Sequence, residues 1–218
     1  MPLAAVAAAL LARSGPGTGR PTVIAVDGRQ GGGKTTFCSR LAEQVPGAAV
    51  VHTDDVAWWE SFFGWDHLMS EGILQPLRRG EGVSLRPPAW ISRGRAGAIE
   101  VAATVPVVLV EGVGASRESL APFLDAAVWV QSDYEEAVRR GIERDGGTAE
   151  HAAFWHEWAS VENPFLAADR PWERATVVVC GTPDLVTAAA NPTQVLVGRS
   201  LRAVTPSPPP SGVTTLGE

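Results

Sequence analysis

Lysine is almost absent from this chain of 218 residues: among its 18 basic residues Lys34 is the only lysine, and the others are arginine. Cysteine is scarce too. Two cysteines, Cys38 and Cys180, cannot form the disulfide framework of a small secreted protein, and they fit the reducing conditions of a cytoplasmic location. Because arginine serves at every other basic position, the single lysine indicates a site that requires a compact ammonium group.

Two further features are missing. No apolar run reaches the roughly 20 residues of a membrane-spanning helix. The net charge of −6 and the pI near 5.3 also lack the basic excess on which nucleic-acid binding normally depends. The sequence therefore predicts neither a membrane nor a nucleic-acid partner, and its length suits one α/β domain.

The two ends of the chain differ from its centre. Apolar residues at helical spacing over 3–11 predict a short helix packed on the domain, and the first charge, Arg13, follows this stretch instead of preceding it as in a signal peptide. Residues 203–218 are rich in proline and serine and are expected to be a disordered tail. We therefore separate a helix and linker (1–19) and this tail from a central domain (20–202).

Short β-rich apolar runs alternate with helical patterns in the central domain, as in a doubly wound parallel α/β sheet with helices on both faces. About five strands are predicted, over 22–26, 48–52, 105–110, 126–130 and 176–180. Helices are predicted over 34–44, 66–79 and 148–168, and from Ser132 or Asp133 onward. The stretch 86–97 is predicted to be a loop.

The most specific motif is Gly28-Arg29-Gln30-Gly31-Gly32-Gly33-Lys34-Thr35, between the first predicted strand and helix. It fits G-x-x-x-x-G-K-[ST], in which backbone N–H groups converge on phosphate and the helix N-terminus adds positive charge. We expect Lys34 to reach the β- and γ-phosphates and Thr35 to ligate Mg²⁺. The implied ligands are ATP and Mg²⁺. The predicted nucleotide-binding residues are Gly28, Gly31, Gly32, Gly33, Lys34, Thr35 and Thr36.

Carboxylates follow two other predicted strands. Glu111 ends the most apolar strand, where P-loop proteins place an acid near Mg²⁺. Asp54 and Asp55 follow the second strand, where a carboxylate can accept the proton of an attacking hydroxyl. Either aspartate could instead cap the next helix. We assign the base to Asp54 and a capping or supporting role to Asp55, and the reverse assignment stays open.

These elements together resemble the uridine kinase-like P-loop nucleoside kinases over about residues 20–180. The resemblance is carried by Asp27-Gly28 with the glycine loop, Thr53-Asp54-Asp55, Gly64-Trp65-Asp66-His67, Val110-Glu111-Gly112 and Arg140 to Asp145. It implies a P-loop kinase domain with strand order 2-3-1-4-5 that transfers the γ-phosphate of ATP to a 5′-hydroxyl. It also implies that Asp54 is the catalytic base, that Glu111 lies near Mg²⁺, and that Asp66 holds the ribose hydroxyls.

The same resemblance implies that Arg140 and Arg144 close over the phosphates from a lid, with Arg144 acting on the transferring group. One helical turn separates them, so they share a face. The alternative is a solvated helix whose arginines pair with nearby glutamates. Gly146-Gly147 directly afterwards could serve as a hinge.

Aromatic residues are concentrated after the proposed base, where they could stack on a planar base or simply pack. Trp65 and Trp90 are predicted to contact the acceptor. A later helical stripe, Phe154, Trp155, Trp158, Val161 and Phe165, is predicted to be core.

The acceptor is the least determined part of the prediction. Pro88-Ala89-Trp90 stands where many uridine kinases carry a Tyr-Asp-aromatic element, which leaves the choice between a nucleoside and another small alcohol open. Two alternatives to a nucleoside kinase are kept. One is a nucleoside monophosphate kinase similar to cytidylate kinase, and the other is a nucleotide-binding regulatory protein that transfers nothing. The first would need further arginines at the acceptor, chosen from Arg78, Arg79, Arg86, Arg93 and Arg95.

Overall fold

Five parallel strands form the central sheet in the computed structural model, which describes residues 1–14, 19–181 and 194–198. The described residues contain seven strands, five in this sheet and two in a second one. In chain order they are β1 (Thr22–Gly28), β2 (Ala49–His52), β3 (Val83–Leu85), β4 (Ile99–Val101), β5 (Val107–Glu111), β6 (Ala126–Gln131) and β7 (Val177–Cys180). The sheet order is β2-β5-β1-β6-β7, and β3 and β4 form a separate antiparallel pair. Numbered within the sheet alone this is 2-3-1-4-5, so the predicted order is confirmed.

Helices cover both faces of this sheet. They are α1 (Leu3–Leu11), α2 (Lys34–Glu43), α3 (Thr53–Ala57), α4 (Asp66–Met69), α5 (Gln75–Arg78), α6 (Pro88–Ser92), α7 (Tyr134–Arg144) and α8 (Ala149–Asp169). A π-helical turn, Ser70–Leu74, joins α4 to α5, so the helix predicted over 66–79 is nearly continuous. The side chain of Asp133 caps α7 by accepting the Glu136 N–H at 2.9 Å, as the sequence predicts.

The strands supply two separate cores because successive side chains of a strand point to opposite faces. In β1, Val23 and Ala25 pack with α3 to α6, whereas Ile24 and Val26 pack with α1 and α2. Burial on both faces explains why β5 is apolar without alternation. The helix α1 has the predicted range and belongs to the second core through its buried leucines.

Three expectations about local structure are wrong. The stretch 86–97 is not all loop, because Pro88 begins the short helix α6, a position that proline favours. Neither Asp54 nor Asp55 caps α3, whose N-cap is His52 without a side-chain hydrogen bond. Phe154 is predicted to belong to the core stripe of α8, but its side chain is exposed. The inner face of this helix lies on the side of Trp155 and Leu166, which are buried, and Phe154 points away from it. The tail predicted over 203–218 lies outside the described residues.

An ion-pair cluster at the start of β1 and β6 leads to a stability prediction. Asp125 accepts two hydrogen bonds from Arg20, at 2.7 and 2.8 Å, one from Arg78 at 3.1 Å and one from the Val23 N–H at 2.9 Å. Burial opposes its ionisation, but these partners outweigh burial and hold the pKa of Asp125 below its usual value. Because its pKa is lower in the folded state, ionised Asp125 stabilises the protein at pH values above its unfolded-state pKa of about 4. This stabilisation is lost as the pH falls through the folded-state pKa.

Asp125→Asn is expected to lower the free energy of unfolding at pH 7 by about 1–3 kcal/mol, because it weakens several charge-assisted hydrogen bonds of a partly buried group. Urea unfolding at pH 7 and at pH 3 measures this loss, which should shrink at the lower pH. The matched control is Glu81→Gln, which breaks the exposed pair with Arg79 and should change stability little. Equal effects of the two substitutions would contradict the role given to Asp125.

Candidate active site

The glycine loop connects β1 to α2, as predicted, and its close packing explains its composition. A Cβ at Gly28 would lie 2.6 Å from the Val130 carbonyl oxygen, and one at Gly31 would lie 2.3 Å from that of Ala137. Gly33, just before α2, has a φ of 88°. The loop therefore lies directly against the end of β6 and against α7, with no room for side chains at these positions.

Gly31→Ala tests this packing, and Gly94→Ala is its matched control. The two glycines have φ angles of 71° and 70°, but a Cβ at Gly94 meets nothing within 4 Å. Both substitutions carry the strain of a left-handed backbone, about 1 kcal/mol. Only Gly31→Ala must also displace the loop from α7, so we expect it alone to weaken Mg·ADP binding, by about tenfold or more, in calorimetric titrations. Equal binding by both variants would show that the loop tolerates the shift.

Lys34 begins α2 directly beneath the loop. It is only 8% exposed, and its Nζ donates a hydrogen bond to the carbonyl oxygen of Arg29 at 2.8 Å. The single lysine of the chain is therefore held at the phosphate-binding loop. Its neighbours Thr35 and Thr36 are exposed in the first turn of the same helix.

Glu111 connects the loop to β2. Its Oε1 accepts a hydrogen bond from Thr35 Oγ1 at 3.1 Å, and its Oε2 lies 2.7 Å from Nδ1 of His52, its partner in the strand register. Burial opposes its ionisation, but His52 and Lys34 outweigh burial and hold the pKa of Glu111 below its usual value, while the hydrogen bond to Glu111 raises the pKa of His52.

The paired oxygens of Thr35 and Glu111 are the kind of donor that Mg²⁺ prefers. Within 1–14, 19–181 and 194–198, no group of three His, Cys, Asp or Glu side chains could hold a metal ion. A chain-supplied pair of oxygens therefore fits a Mg²⁺ ion that takes its remaining ligands from phosphate and water, as is usual for this ion. His52 was not predicted, although it immediately precedes the Thr-Asp-Asp motif.

The two aspartates of α3 have different surroundings. Asp55 forms an ion pair with Arg95 at 2.5 Å, and its carbonyl oxygen accepts the indole N–H of Trp90 at 2.9 Å. Asp54 makes no hydrogen bond or ion pair with any described residue, and its side chain is open to solvent. Partial desolvation beside the sheet edge raises the pKa of Asp54 against the opposing charge of Lys34, and Glu111 raises it further. The carboxylate of Asp54 is therefore the available one.

Asp66, at the start of α4, is held by residues distant in sequence. It accepts a hydrogen bond from Ser119 Oγ at 2.7 Å, and Nη1 of Arg117 lies 3.9 Å from its Oδ1. Although burial acts in the opposite direction, these partners lower the pKa of Asp66. Arg117 also donates to the Phe63 carbonyl oxygen at 2.7 Å. Neither Ser119 nor Arg117 was predicted, since neither belongs to a recognisable motif.

The tryptophans predicted to contact the acceptor are packed inside the protein. Trp65 is 2% exposed and Trp90 is 5% exposed, and their indole N–H groups donate to the carbonyl oxygens of Phe62 and Asp55. Neither indole therefore offers an open face for stacking, and both pack instead, while a contact of either residue with the acceptor stays a prediction. Trp59 is the exposed one, at 62%, and the guanidinium of Arg93 lies 3.5 Å from its ring centre.

The arginines of α7 have acidic partners in the chain. Arg140 donates to Glu136 at 2.6 Å, and Arg144 donates to Asp145 at 2.8 Å. These contacts are those of a solvated helix, so the phosphate-clamping role of both arginines stays a prediction. The positive φ angles of Gly146 and Gly147, 115° and 69°, mark a sharp change of chain direction directly after the helix.

The arginines considered for an acceptor phosphate fall into two groups. Arg78 pairs with Asp125 and Arg79 with Glu81, away from the proposed base. The other three lie beside α3: Arg95 pairs with Asp55, Arg86 donates to the Arg95 carbonyl oxygen, and Arg93 lies over Trp59. A nucleoside monophosphate as the acceptor therefore stays an alternative.

The strand order and the loop between β1 and α2 define a P-loop kinase fold. A candidate fructose transport system kinase from Silicibacter sp. TM1040 shares it, with a TM-score of 0.56 and 21% identity over 80% of this chain and 95% of the other. A possible uridine kinase from Bacillus stearothermophilus does so with a TM-score of 0.55 and 20% identity over 81% and 96%. The expected resemblance to uridine kinase-like proteins is thus confirmed at the level of the fold.

No family model and no curated protein matches the sequence. Among residues 1–14, 19–181 and 194–198, no helix is both long and apolar enough to cross a membrane.

Proposed function

We propose that the chain is an ATP- and Mg²⁺-dependent kinase that transfers the γ-phosphoryl group to a hydroxyl of a small acceptor. The acceptor group that we favour is the 5′-hydroxyl of a nucleoside. One observation supports this above all others. The adjacent strands β1, β5 and β2 bring Lys34, the Thr35–Glu111 pair and Asp54 to one edge of the sheet. Among the described residues, none forms a hydrogen bond or ion pair with the Asp54 carboxylate. Ligands of open α/β sheets bind at this carboxyl edge.

Each of these side chains has a role in the proposed reaction. Lys34 would exchange the Arg29 carbonyl for phosphate oxygens and balance their charge. Thr35 and Glu111 would hold Mg²⁺, which when bound neutralises phosphate charge. Asp54 would accept the proton of the acceptor hydroxyl while the oxygen of that hydroxyl bonds to the γ-phosphorus and ADP leaves. Arg144 and Arg140 would have to leave their acidic partners to contact the phosphates.

The acceptor is proposed to be a small polyhydroxylated alcohol. Asp66 is ionised and fixed by Ser119, so it can accept hydrogen bonds from neighbouring hydroxyls such as those of ribose. The names of the two structural neighbours point to a sugar and a nucleoside, which share such hydroxyls. Because Pro88 and Trp90 add no exposed polar group to this side, recognition would depend on the hydroxyls more than on a base.

The test is ADP release from Mg·ATP in the presence of nucleosides, nucleoside monophosphates and sugars. A hydroxyl acceptor should stimulate ADP release and appear as a new phosphate monoester in ³¹P NMR, and Lys34→Ala should abolish both signals. Selective stimulation by monophosphates would favour the monophosphate kinase instead. Slow hydrolysis without stimulation by any compound would favour a regulatory nucleotide-binding protein.

A further inference from the structure

A buried carboxylate that this reaction does not use lies against the glycine loop. Glu162 of α8 is 3% exposed. Its Oε1 accepts the backbone N–H of Gln30 at 2.7 Å, and its Oε2 lies 3.6 Å from Nη1 of Arg29. The two contacts join α8 to the first half of the phosphate-binding loop.

The contact with Gln30 acts on a single peptide unit. The C=O of Arg29 and the N–H of Gln30 belong to the same planar trans peptide, so they point in opposite directions. The carbonyl oxygen accepts hydrogen bonds from Lys34 Nζ at 2.8 Å and from the Gly32 N–H at 3.0 Å. One peptide is therefore held on one side by Glu162 and on the other by Lys34.

The side chain of Arg29 strengthens this arrangement. It donates to the Asn163 side chain on α8 at 2.6 Å, and its guanidinium lies 5.3 Å from the ring centre of Tyr134 on α7. A buried carboxylate is costly without a positive partner, and Arg29 supplies that partner for Glu162. Two helices thus hold the first residues of the loop.

We infer that Glu162 is a positioning residue: it orients the Arg29–Gln30 peptide so that the carbonyl oxygen faces Lys34 and the loop is ordered before the nucleotide arrives. If this peptide rotated, the N–H of Gln30 would face the ammonium group of Lys34, and both would lose their acceptors. The phosphates would then bind a loop that still has to be ordered, at a cost in affinity. The inference rests on the proposed function in that the loop binds a nucleotide.

The experiment compares Glu162→Ala and Glu162→Gln with Glu157→Gln, an exposed control on the same helix. Hydrogen exchange of the peptide covering residues 28–34, without nucleotide, reports loop order. Calorimetric titration with Mg·ADP reports affinity. Glu162→Ala should increase exchange about tenfold and weaken Mg·ADP binding about tenfold. Glu162→Gln should lose less in both, because its amide oxygen can still accept from Gln30. The control should match the wild type.

The outcomes separate the inference from the proposed function. Exchange and affinity like the wild type in folded Glu162 variants would overturn the inference, as would tighter binding of Mg·ADP, which would mean that Glu162 competes with phosphate. If Glu162→Ala does not fold, Glu162→Gln decides in the same way. A wild-type protein that binds no Mg·ADP, although Glu162→Ala loosens the loop, would contradict the proposed function and leave the positioning of the loop supported.

Discussion

Lys34→Arg is expected to reduce acceptor-dependent ADP formation by about 10²–10³-fold, although the charge is unchanged. The ammonium group lies buried beneath the loop, where it reaches the Arg29 carbonyl oxygen at 2.8 Å. A planar guanidinium is larger, and it cannot rotate to follow the phosphates as a point charge does. Steady-state kinetics with the acceptor identified by the ADP-release screen measure the loss.

The reverse exchange supplies the control for this prediction. Arg79→Lys swaps the same two residue types at an exposed position, where the side chain pairs with Glu81 at the surface. It should leave turnover unchanged. Near-normal turnover of Lys34→Arg would argue against the phosphate role of Lys34 and therefore against a P-loop kinase activity.

Asp54→Asn is expected to lower kcat by about 10²–10⁴-fold and to leave the Kd for Mg·ADP nearly unchanged, because a general base acts only in the transition state. The neighbouring substitution Asp55→Asn is the matched comparison. Asp55→Asn weakens the ion pair with Arg95, so it should lower the free energy of unfolding and leave kcat much closer to the wild-type value than Asp54→Asn does. If Asp55→Asn abolished turnover and Asp54→Asn retained it, the roles of the two aspartates would be reversed.

The pH dependence gives the same assignment an independent test. Asp54 must be ionised to accept a proton, and desolvation raises its pKa above the ordinary aspartate value, against the opposing charge of Lys34. The rate should therefore fall as the pH drops, and it should fall at a higher pH than for an ordinary aspartate. An acid limb that persisted unchanged in the residual activity of Asp54→Asn would belong to another group.

Much of the candidate site could be predicted because its parts are local motifs at strand ends. The glycine loop is a run of consecutive residues, and Glu111 and Asp54 each lie at the end of an apolar strand. Since parallel strands end at one edge of the sheet, their order is enough to bring these groups together. The contacts of Asp66 were not predictable in this way, because Ser119 lies 53 residues further along the chain.

The side that a residue presents was harder to predict than its location. Trp65 and Trp90 are predicted to contact the acceptor, but both are buried in the protein. An aromatic residue looks the same in sequence whether it packs or stacks. The pair β3 and β4 escaped prediction because strands of three residues are too short to show a period.

The sequence by itself determined the α/β fold and the glycine loop that contains the single lysine, because each depends on a periodic pattern or on neighbouring residues. Only the tertiary structure decided which aspartate is available and what holds the loop. Arg95 engages Asp55 across 40 residues, and Glu162 reaches Gln30 across 132. Such contacts are made by single side chains brought together by packing, and packing leaves no pattern along the chain.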